Sequence, residues 1–409
     1  MKDKIYDVVI WGATGFTGKL VSEYIFQTYG VDKDLKWAIA GRNAEKLNSL
    51  TNEIGKGKIP VIVADSDDKA SLDKMTSQAK VICTTVGPYA LYGSALVASC
   101  IENGADYCDL AGEVQWIRRM IDTYHEAASK KGVRIVNCCG FDSIPSDMGV
   151  FFLQTRSKEK IGEYCRRVRM RVKAAKGGFS GGTLASLKNV MKEASKDDSV
   201  LKVLANPYGL NPDPRYRGKD SKDLSTVKYE KETDSWITPF VMAAINTKVV
   251  RRSHALLGFP YGENFKYDEA IMTGDGTIGR IKSIGNAMGV GVMMLAKPGS
   301  LLDKLLSKFM PKPGEGPDKK ERDKGYFSID LFGVTHGGRK FRANVKGDKD
   351  PGYGSTSKML GECAVCLAKD KKLTPAVSGV LTPSVALGEP LIERLQNNAG
   401  VTFTVKPFA

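Results

Sequence analysis

The stretch YDVVIWGATGFTG, residues 6–18, decides the fold. Tyr6 to Trp11 is a short apolar run rich in Val and Ile, the composition of a strand covered on both faces. It enters a turn with glycines at Gly12, Gly15 and Gly18, and a helical segment, KLVSEYIFQTY, follows at once. Strand, glycine turn and helix start in this order bind the diphosphate of a dinucleotide. Glycine lets the backbone approach the phosphates, and the helix N-terminus offers free N–H groups and a partial positive charge. The candidate contacts in this turn are Gly12, Thr14, Gly15, Phe16, Thr17 and Gly18. A plain strand–turn–helix is the bland alternative.

The end of the second strand selects between cofactors. KWAIAGRN ends in Gly41-Arg42-Asn43, about twenty residues past the motif. A site for NAD places an acid there to accept bonds from the ribose hydroxyls, whereas here no acid precedes Glu45. The Arg42 guanidinium can take a 2′-phosphate bidentately and stack on adenine, so the expected cofactor is NADP(H). The GxxGxxG spacing agrees, since it occurs in several NADP-dependent families. Asp65, closing the third strand, is placed near the adenine, with a simple turn role equally open.

Strand and helix signals alternate through the first 150 residues, as a doubly wound parallel sheet requires. Strands are expected at 6–11, 36–40, 60–64, 80–86, 106–110 and 133–138, with helices at 15–28, 43–54, 68–76, 92–103 and 115–130. The fourth strand ends in Thr85-Val86-Gly87-Pro88-Tyr89, which places Gly87, Pro88 and Tyr89 at the nicotinamide end of the cofactor. The organisation expected is α/β: a Rossmann-like domain over 1–150, a second α/β domain over 151–350 for substrate or oligomerisation, and helices of 351–409 returning to the first domain.

Beyond residue 150 the character changes. RRVRMRVK, residues 166–173, alternates strictly, with Arg167, Arg169, Arg171 and Lys173 on one face of a half-buried antiparallel strand. A second glycine-rich turn, GGFSGGT at 177–183, opens the helix LASLKNVMKEAS. Its Gly181, Gly182 and Thr183 are the candidate substrate-binding residues, through N–H groups able to hold a carboxylate, thioester oxygen or phosphate. Residues 284–310 combine an apolar run, GNAMGVGVMMLA, with an amphipathic one carrying Leu301, Leu302, Leu305, Leu306 and Phe309 on one face. Packing inside the protein and lying in a membrane interface are both open to it. Strand-like stretches at 326–334 and 339–345, a helix at 354–369 and a helical pattern at 383–398 close the chain.

Composition narrows the class. A chain of 409 residues with 42% hydrophobic and 26% charged content is an ordinary globular protein of two or three domains. Eight scattered cysteines lack the spacing of a disulfide framework and read as free, buried thiols of a reducing compartment. No stretch reaches the eighteen or so apolar residues of a spanning helix, and the start leaves no room for a signal peptide. The net charge of +15 is concentrated between Arg156 and Lys176, with nine Lys and Arg against two Glu. No nucleic-acid-binding signature accompanies it, which leaves an anionic substrate, an acidic carrier or an anionic surface.

Catalytic candidates are few. The Tyr-x-x-x-Lys pair of short-chain dehydrogenases occurs once, as Tyr29 and Lys33, at the wrong end of the first helix. The three histidines carry no supporting motif, and metal-ligand spacing is absent. What remains are polar residues at strand ends: Tyr89 as a proton or hydrogen-bond donor, Asp109 and Glu113 in CDLAGE, and Asp142 in CGFDSIPSD. Asp147 in the same run reads as a helix cap.

These blocks carry a resemblance. WGATGFTG, AGRN, TVGPY, CDLAGE, GFDSIPSD, SGGTLAS, PFVMAAINTKVVRRS and DPGYGSTSKMLGE, in this order from residue 6 to about 405, resemble the saccharopine dehydrogenase-like oxidoreductases, including the trans-acting enoyl reductases of complex-lipid synthesis. The resemblance implies a Rossmann domain with an inserted second α/β domain, and reduction of a carrier-bound or lipid acyl chain by NADPH. The substrate it implies is a small-molecule or carrier-bound acyl group; segment 284–310 and the basic block leave open a peripheral contact at the cytoplasmic face of a membrane or lipid droplet and packing on a second copy of the chain, and a mitochondrial location stays open. A membrane-associated NADP(H)-binding protein with little catalysis is the competing reading, and an amino-acid dehydrogenase of the saccharopine type the third.

Overall fold

Val8, Val9 and Ile10 have no exposed surface, yet they serve two different cores. Val8 and Ile10 point into one apolar cluster and Val9 and Trp11 into another, one on each face of the sheet they centre. The computed structural model describes residues 4–177, 181–213, 215–220, 222–295, 300 and 316–408, without the side chains of 181–184 and 293–295.

The first sheet is built from β1 (Tyr6–Trp11), β2 (Trp37–Gly41), β3 (Val61–Val63), β4 (Ala79–Thr84), β5 (Asp106–Cys108) and β6 (Arg134–Val136). Between them run α1 (Phe16–Tyr29), α2 (Ala44–Gly55), α3 (Lys69–Gln78), α4 (Tyr89–Asn103) and α5 (Val114–Lys131), and α6 (Ile144–Ile161) leads out. Each strand lies within a few residues of its expected position. A seventh strand comes from far along the chain, giving the order β13-β6-β5-β4-β1-β2-β3, all parallel. The order reverses at β1, so β2 and β3 lie on one side of it and β4, β5 and β6 on the other. That crevice at the carboxyl ends is where a doubly wound sheet binds ligands.

The second sheet draws on β7 (Cys165–Lys176), α7 (Gly181–Ala194), α8 (Asp198–Ala205), β8 (Lys228–Glu230), β9 (Ser235–Thr238), α9 (Ala243–Leu256), β10 (Lys266–Gly274), α10 (Gly276–Leu295), α11 (Lys319–Asp323), β11 (Tyr326–Thr335) and β12 (Lys340–Gly347). One π-helical turn, Pro351–Ser355, precedes α12 (Thr356–Lys369), β13 (Gly379–Leu381), α13 (Pro383–Asn397) and β14 (Val401–Pro407). The strand order is β14-β12-β11-β7-β10-β9-β8. β7 is a central strand, antiparallel to β11 but parallel to β10, which corrects the expectation of purely antiparallel pairing. Val168, Met170 and Val172 face the same apolar cluster that Val8 and Ile10 enter, with Met148 and Leu153 of α6 between the sheets.

The last 60 residues serve both sheets. α12 packs on α1, β1 and β4, and β13 pairs with β6. Tyr24 and Tyr29 of α1 donate to the fully buried Glu362 of α12 at 2.5 and 2.6 Å. The chain then crosses to the second sheet as β14, pairing with β12, where the helical pattern alone predicts no strand.

The basic face of β7 is not a free cationic surface. Arg171 is buried and bonded to both oxygens of Glu230 at 2.7 and 2.8 Å, with Asp268 at 2.6 Å. Arg169 pairs with Glu232 at 2.9 Å and Arg167 with Asp268 at 3.4 Å. β10, the edge strand β8 and the turn after β8 supply acids that a reading of local charge cannot see. The amphipathic part of 284–310 falls outside the described residues; α10, which carries the apolar part, starts earlier, at Gly276, and exposes Ile278, Ile281, Ile284, Met288 and Val292. No described helix is long and apolar enough to cross a membrane. All eight cysteines are free and buried.

Candidate active site at the edge of the first sheet

Gly12 stands at the point where β1 leaves the sheet, at φ +84. A Cβ there would lie 2.5 Å from Val86 Cγ2 and 3.0 Å from Thr85 Oγ1, so only glycine lets the turn nest against the end of β4. The Gly12 amide donates to Ala40 O of β2 at 3.0 Å and the Gly15 amide to Gly12 O at 3.0 Å. Gly18 packs on the Gly12 carbonyl with no space for a side chain. α1 opens at Gly15 without a side-chain cap. Its first-turn amides, Phe16 to Gly18, therefore have no intrahelical acceptor, and Thr14 and Gly15 face outward. This is a cradle for an anion.

Arg42 follows β2 directly beside this turn, since Ala40 pairs with Trp11. It is exposed, and its guanidinium makes no hydrogen bond or ion pair among the described residues. Asn43 is taken up as the cap of α2, accepting from the Lys46 amide at 2.9 Å. Asp65 forms a turn, its carboxylate accepting from the Asp67 amide at 3.1 Å and its amide donating to Ser71 Oγ at 2.9 Å. The uncapped helix start and the unpartnered cation beside it fit a dinucleotide diphosphate and a 2′-phosphate.

On the other side of β1, the Gly87-Pro88-Tyr89 loop is held from below by Glu113. Its carboxylate accepts from the amides of Tyr89 at 2.7 Å and Ala90 at 3.0 Å, and from Ser186 Oγ of α7 at 2.9 Å. Burial pushes the Glu113 carboxyl up, and the three donors offset much of that. One acid thus fixes the start of α4 and ties it to the helix opened by Gly181, Gly182 and Thr183. Those three residues lie in the first turn of α7, and their side chains fall outside the described residues.

What sets Tyr89 apart is that its hydroxyl is already committed to the backbone. It is buried, its ring stacks on Trp116 at 5.5 Å, and its hydroxyl donates to Thr84 O at 3.3 Å while accepting the Leu110 amide at 3.2 Å. Burial drives its phenol far above the usual range. Asp109 is equally enclosed, accepting from Tyr107 Oη, Asn137 Nδ2 and the amides of Ala111 and Cys138. Burial lifts it to about 6, and its work is to lock the exits of β5 and β6. Asp147 departs from the expected cap: it sits inside the first turn of α6, accepting from Ser253 Oγ at 2.5 Å and the Ser384 amide of α13 at 2.8 Å. It caps a distant helix rather than its own.

Asp142 is different. Half-buried at the exit of β6, it has no hydrogen-bond partner among the described residues, and burial alone raises it to about 6. Across the same seam lies Tyr353 of the π-helical turn, 2% exposed, with its ring edge-on to Phe16 at 4.9 Å between centroids. Arg322 covers the other side of Phe16 at 5.5 Å. The turn is rigid: Asp350 accepts the amides of Tyr353 and Gly354 at 2.9 and 2.8 Å, and Thr356 Oγ1 donates to Pro351 O while accepting the Phe141 amide. Three blocks remote in sequence, WGATGFTG, GFDSIPSD and DPGYGSTSK, therefore meet at one edge. Pattern reading alone did not single out Tyr353, although a tyrosine between glycines just ahead of a helix was the available signal.

Comparison with known proteins agrees with this geometry. Residues 8–136 match the family model described as the saccharopine dehydrogenase NADP binding domain. A Mycobacterium tuberculosis protein provisionally designated a trans-acting enoyl reductase is 39% identical over 404 residues, covering 95% of each chain. A trans-acting enoyl reductase of Mycobacterium ulcerans is 34% identical over 409 residues, again covering 95% of each. Among solved structures, saccharopine dehydrogenase (L-Glu forming) from Saccharomyces cerevisiae superimposes with a TM-score of 0.51 over 98% of this chain and 99% of its own, at 14% identity, a likeness of fold alone.

Proposed function

Because the chain belongs to the saccharopine dehydrogenase-like oxidoreductases that include the trans-acting enoyl reductases, we propose that it reduces the double bond of an enoyl thioester on a carrier or lipid acyl chain. NADPH, when bound, supplies the hydride. The first-turn amides of α1 hold its diphosphate, Arg42 its 2′-phosphate, and the Gly87-Pro88-Tyr89 backbone fixes the plane against which the nicotinamide rests. Glu113 keeps that backbone from moving, so the acceptor meets a preorganised surface. Residues 1–150 then serve the cofactor, and 151–350 close over it from the substrate side, with the amides of Gly181, Gly182 and Thr183 facing the acyl carbonyl.

The observation that carries the reading is kinship of one third or more of the residues along 95% of the chain with proteins named for this reaction. The test is NADPH consumption by the purified chain, screened against enoyl thioesters, 2-oxo acids and imines. Turnover with enoyl thioesters alone is expected. Turnover confined to 2-oxo acids with an amine would replace this reading with an amino-acid dehydrogenase.

One observation favours an additional lipid-surface role. Ile278, Ile281 and Met288 of α10 lie along one face and are 70, 64 and 65% exposed, with Arg280 and Lys282 among them. Apolar side chains flanked by cations are the pattern of a helix resting on an anionic bilayer. Co-sedimentation with anionic vesicles should be lost in Ile281→Asp/Met288→Asp, and equal sedimentation of both proteins would remove this role.

A further inference from the structure

We propose that the hydroxyl of Tyr353 is the proton donor of the reduction, an assignment that rests on the enoyl-reductase reading above. Its position is the first argument. Tyr353 lies between Phe16, on the glycine turn, and the exit of β6, where Asp142 is close enough for its charge to act on the phenol. That is the β4–β5–β6 side of the switch point, opposite Arg42 on the β2 side, and so the end of the crevice where a nicotinamide and its acceptor lie.

The second argument is its lack of a partner. Tyr24 and Tyr29 give their hydroxyls to Glu362, Tyr107 to Asp109, Tyr267 to Glu269 and Tyr89 to a backbone carbonyl. The Tyr353 hydroxyl is enclosed and has no hydrogen-bond partner among the described residues. A buried hydroxyl without a partner costs stability, and the fold holds this one in place through its own backbone amide and the neighbouring Gly354 amide, both bound by Asp350. A group kept rigid and unsatisfied at a ligand crevice has its hydrogen bond in reserve for the ligand.

The third is elimination. At this edge Thr85 Oγ1 donates to backbone carbonyls of the glycine turn, Ser143 Oγ to Asn246, Thr356 Oγ1 to Pro351 O and the Cys138 thiol to Ala111 O. Glu113 only accepts, and Asp142, raised by burial to about 6, is mostly ionised at neutral pH and holds no proton to give. His125 is bound to Val380 and His254 to Gly262, both away from the crevice.

The step balances as follows. Hydride from the reduced nicotinamide forms the new C–H bond at the β-carbon, and the π pair of the double bond moves onto the thioester as an enolate. The Tyr353 O–H bond breaks as its proton goes to the α-carbon, and the phenolate regains a proton from water. The phenol, which burial and the nearby carboxylates hold high, stays protonated until an enolate, a far stronger base, forms beside it.

Tyr353→Phe in the full chain keeps the ring on Phe16 and removes only the oxygen. NADPH affinity by fluorescence titration is expected within about twofold of the parent, and the melting temperature equal or higher, since an unsatisfied hydroxyl is lost. Turnover of the enoyl thioester should fall at least about a hundredfold. Reduction in heavy water should place deuterium on the α-carbon in one configuration with the parent and in both with the residual activity of the variant. Turnover within about threefold of the parent overturns the assignment. So does a lowered melting temperature accompanied by weakened NADPH binding, which would mark the hydroxyl as structural. A parent protein that binds NADPH and reduces no enoyl thioester defeats the underlying reading instead, and this assignment with it.

Discussion

Replacing Arg42 with Ala separates the two nicotinamide cofactors in one measurement. The guanidinium lies beside the glycine turn because β2 pairs with β1 through Ala40 and Trp11, and it has no competing acid among the described residues. Its bonds to a 2′-phosphate are charge-assisted, worth about 1.5–3 kcal/mol net. Exposure and salt screening place the loss at the lower end, about 1.5–2 kcal/mol. At about 1.4 kcal/mol per factor of ten, NADPH should bind about 10- to 30-fold more weakly. NADH lacks the phosphate and should bind as before, within about twofold. Parallel fluorescence titrations of both cofactors, at low and at moderate salt, read the difference directly. The NADPH deficit should also shrink as salt rises. Equal weakening of both cofactors, or of neither, would refute the phosphate assignment and with it the choice of NADP(H) at this position.

Three other perturbations probe the scaffold. Glu113→Ala strands the amides of Tyr89 and Ala90 and the Ser186 hydroxyl, and should lower unfolding free energy by about 2–4 kcal/mol in urea. Glu362→Ala leaves the hydroxyls of Tyr24 and Tyr29 without their buried acceptor, while Arg394 keeps Asp370, and should cost about 2–4 kcal/mol, measured the same way. Asp142 is raised from 3.8 to about 6 in the fold, so its stabilising contribution is complete below pH 4 and lost as pH rises through 6. Asp142→Asn abolishes that loss, and its melting temperature relative to the parent should climb between pH 4 and pH 8, a gain of about 2 kcal/mol after allowance for partial exposure. A gap that does not widen with pH would mean that burial does not hold this carboxyl up.

The Rossmann half is legible because its signals are local. β1 announces itself by an unbroken apolar run, and Gly12 by a turn whose geometry excludes a side chain. Arg42 is readable because it directly follows a strand whose neighbour is known. What stays hidden is settled by partners distant along the chain. Arg167, Arg169 and Arg171 read as a cationic face until Glu230 of β8, Glu232 of the turn after it and Asp268 of β10 arrive to neutralise them. Tyr89 stands at the expected strand end, but the start of α4 turns its ring inward onto Trp116. Tyr353 gains its meaning only when the π-helical turn is folded onto Phe16, more than three hundred residues earlier. β14 is a different case: VTFTV at 401–405 alternates as a half-buried strand does, but so short a run beside a long helical pattern passes for its tail.

The final stretch of polypeptide, with β13 completing one sheet and β14 the other, has a consequence for synthesis. While the ribosome still holds residues 379–407, both halves of the nascent molecule carry an open flank, and neither can reach its finished hydrogen-bond ladder. Until 379–407 emerge, neither sheet has its closing edge strand. A chain cut before residue 379 would therefore expose two unpaired sheet borders at once.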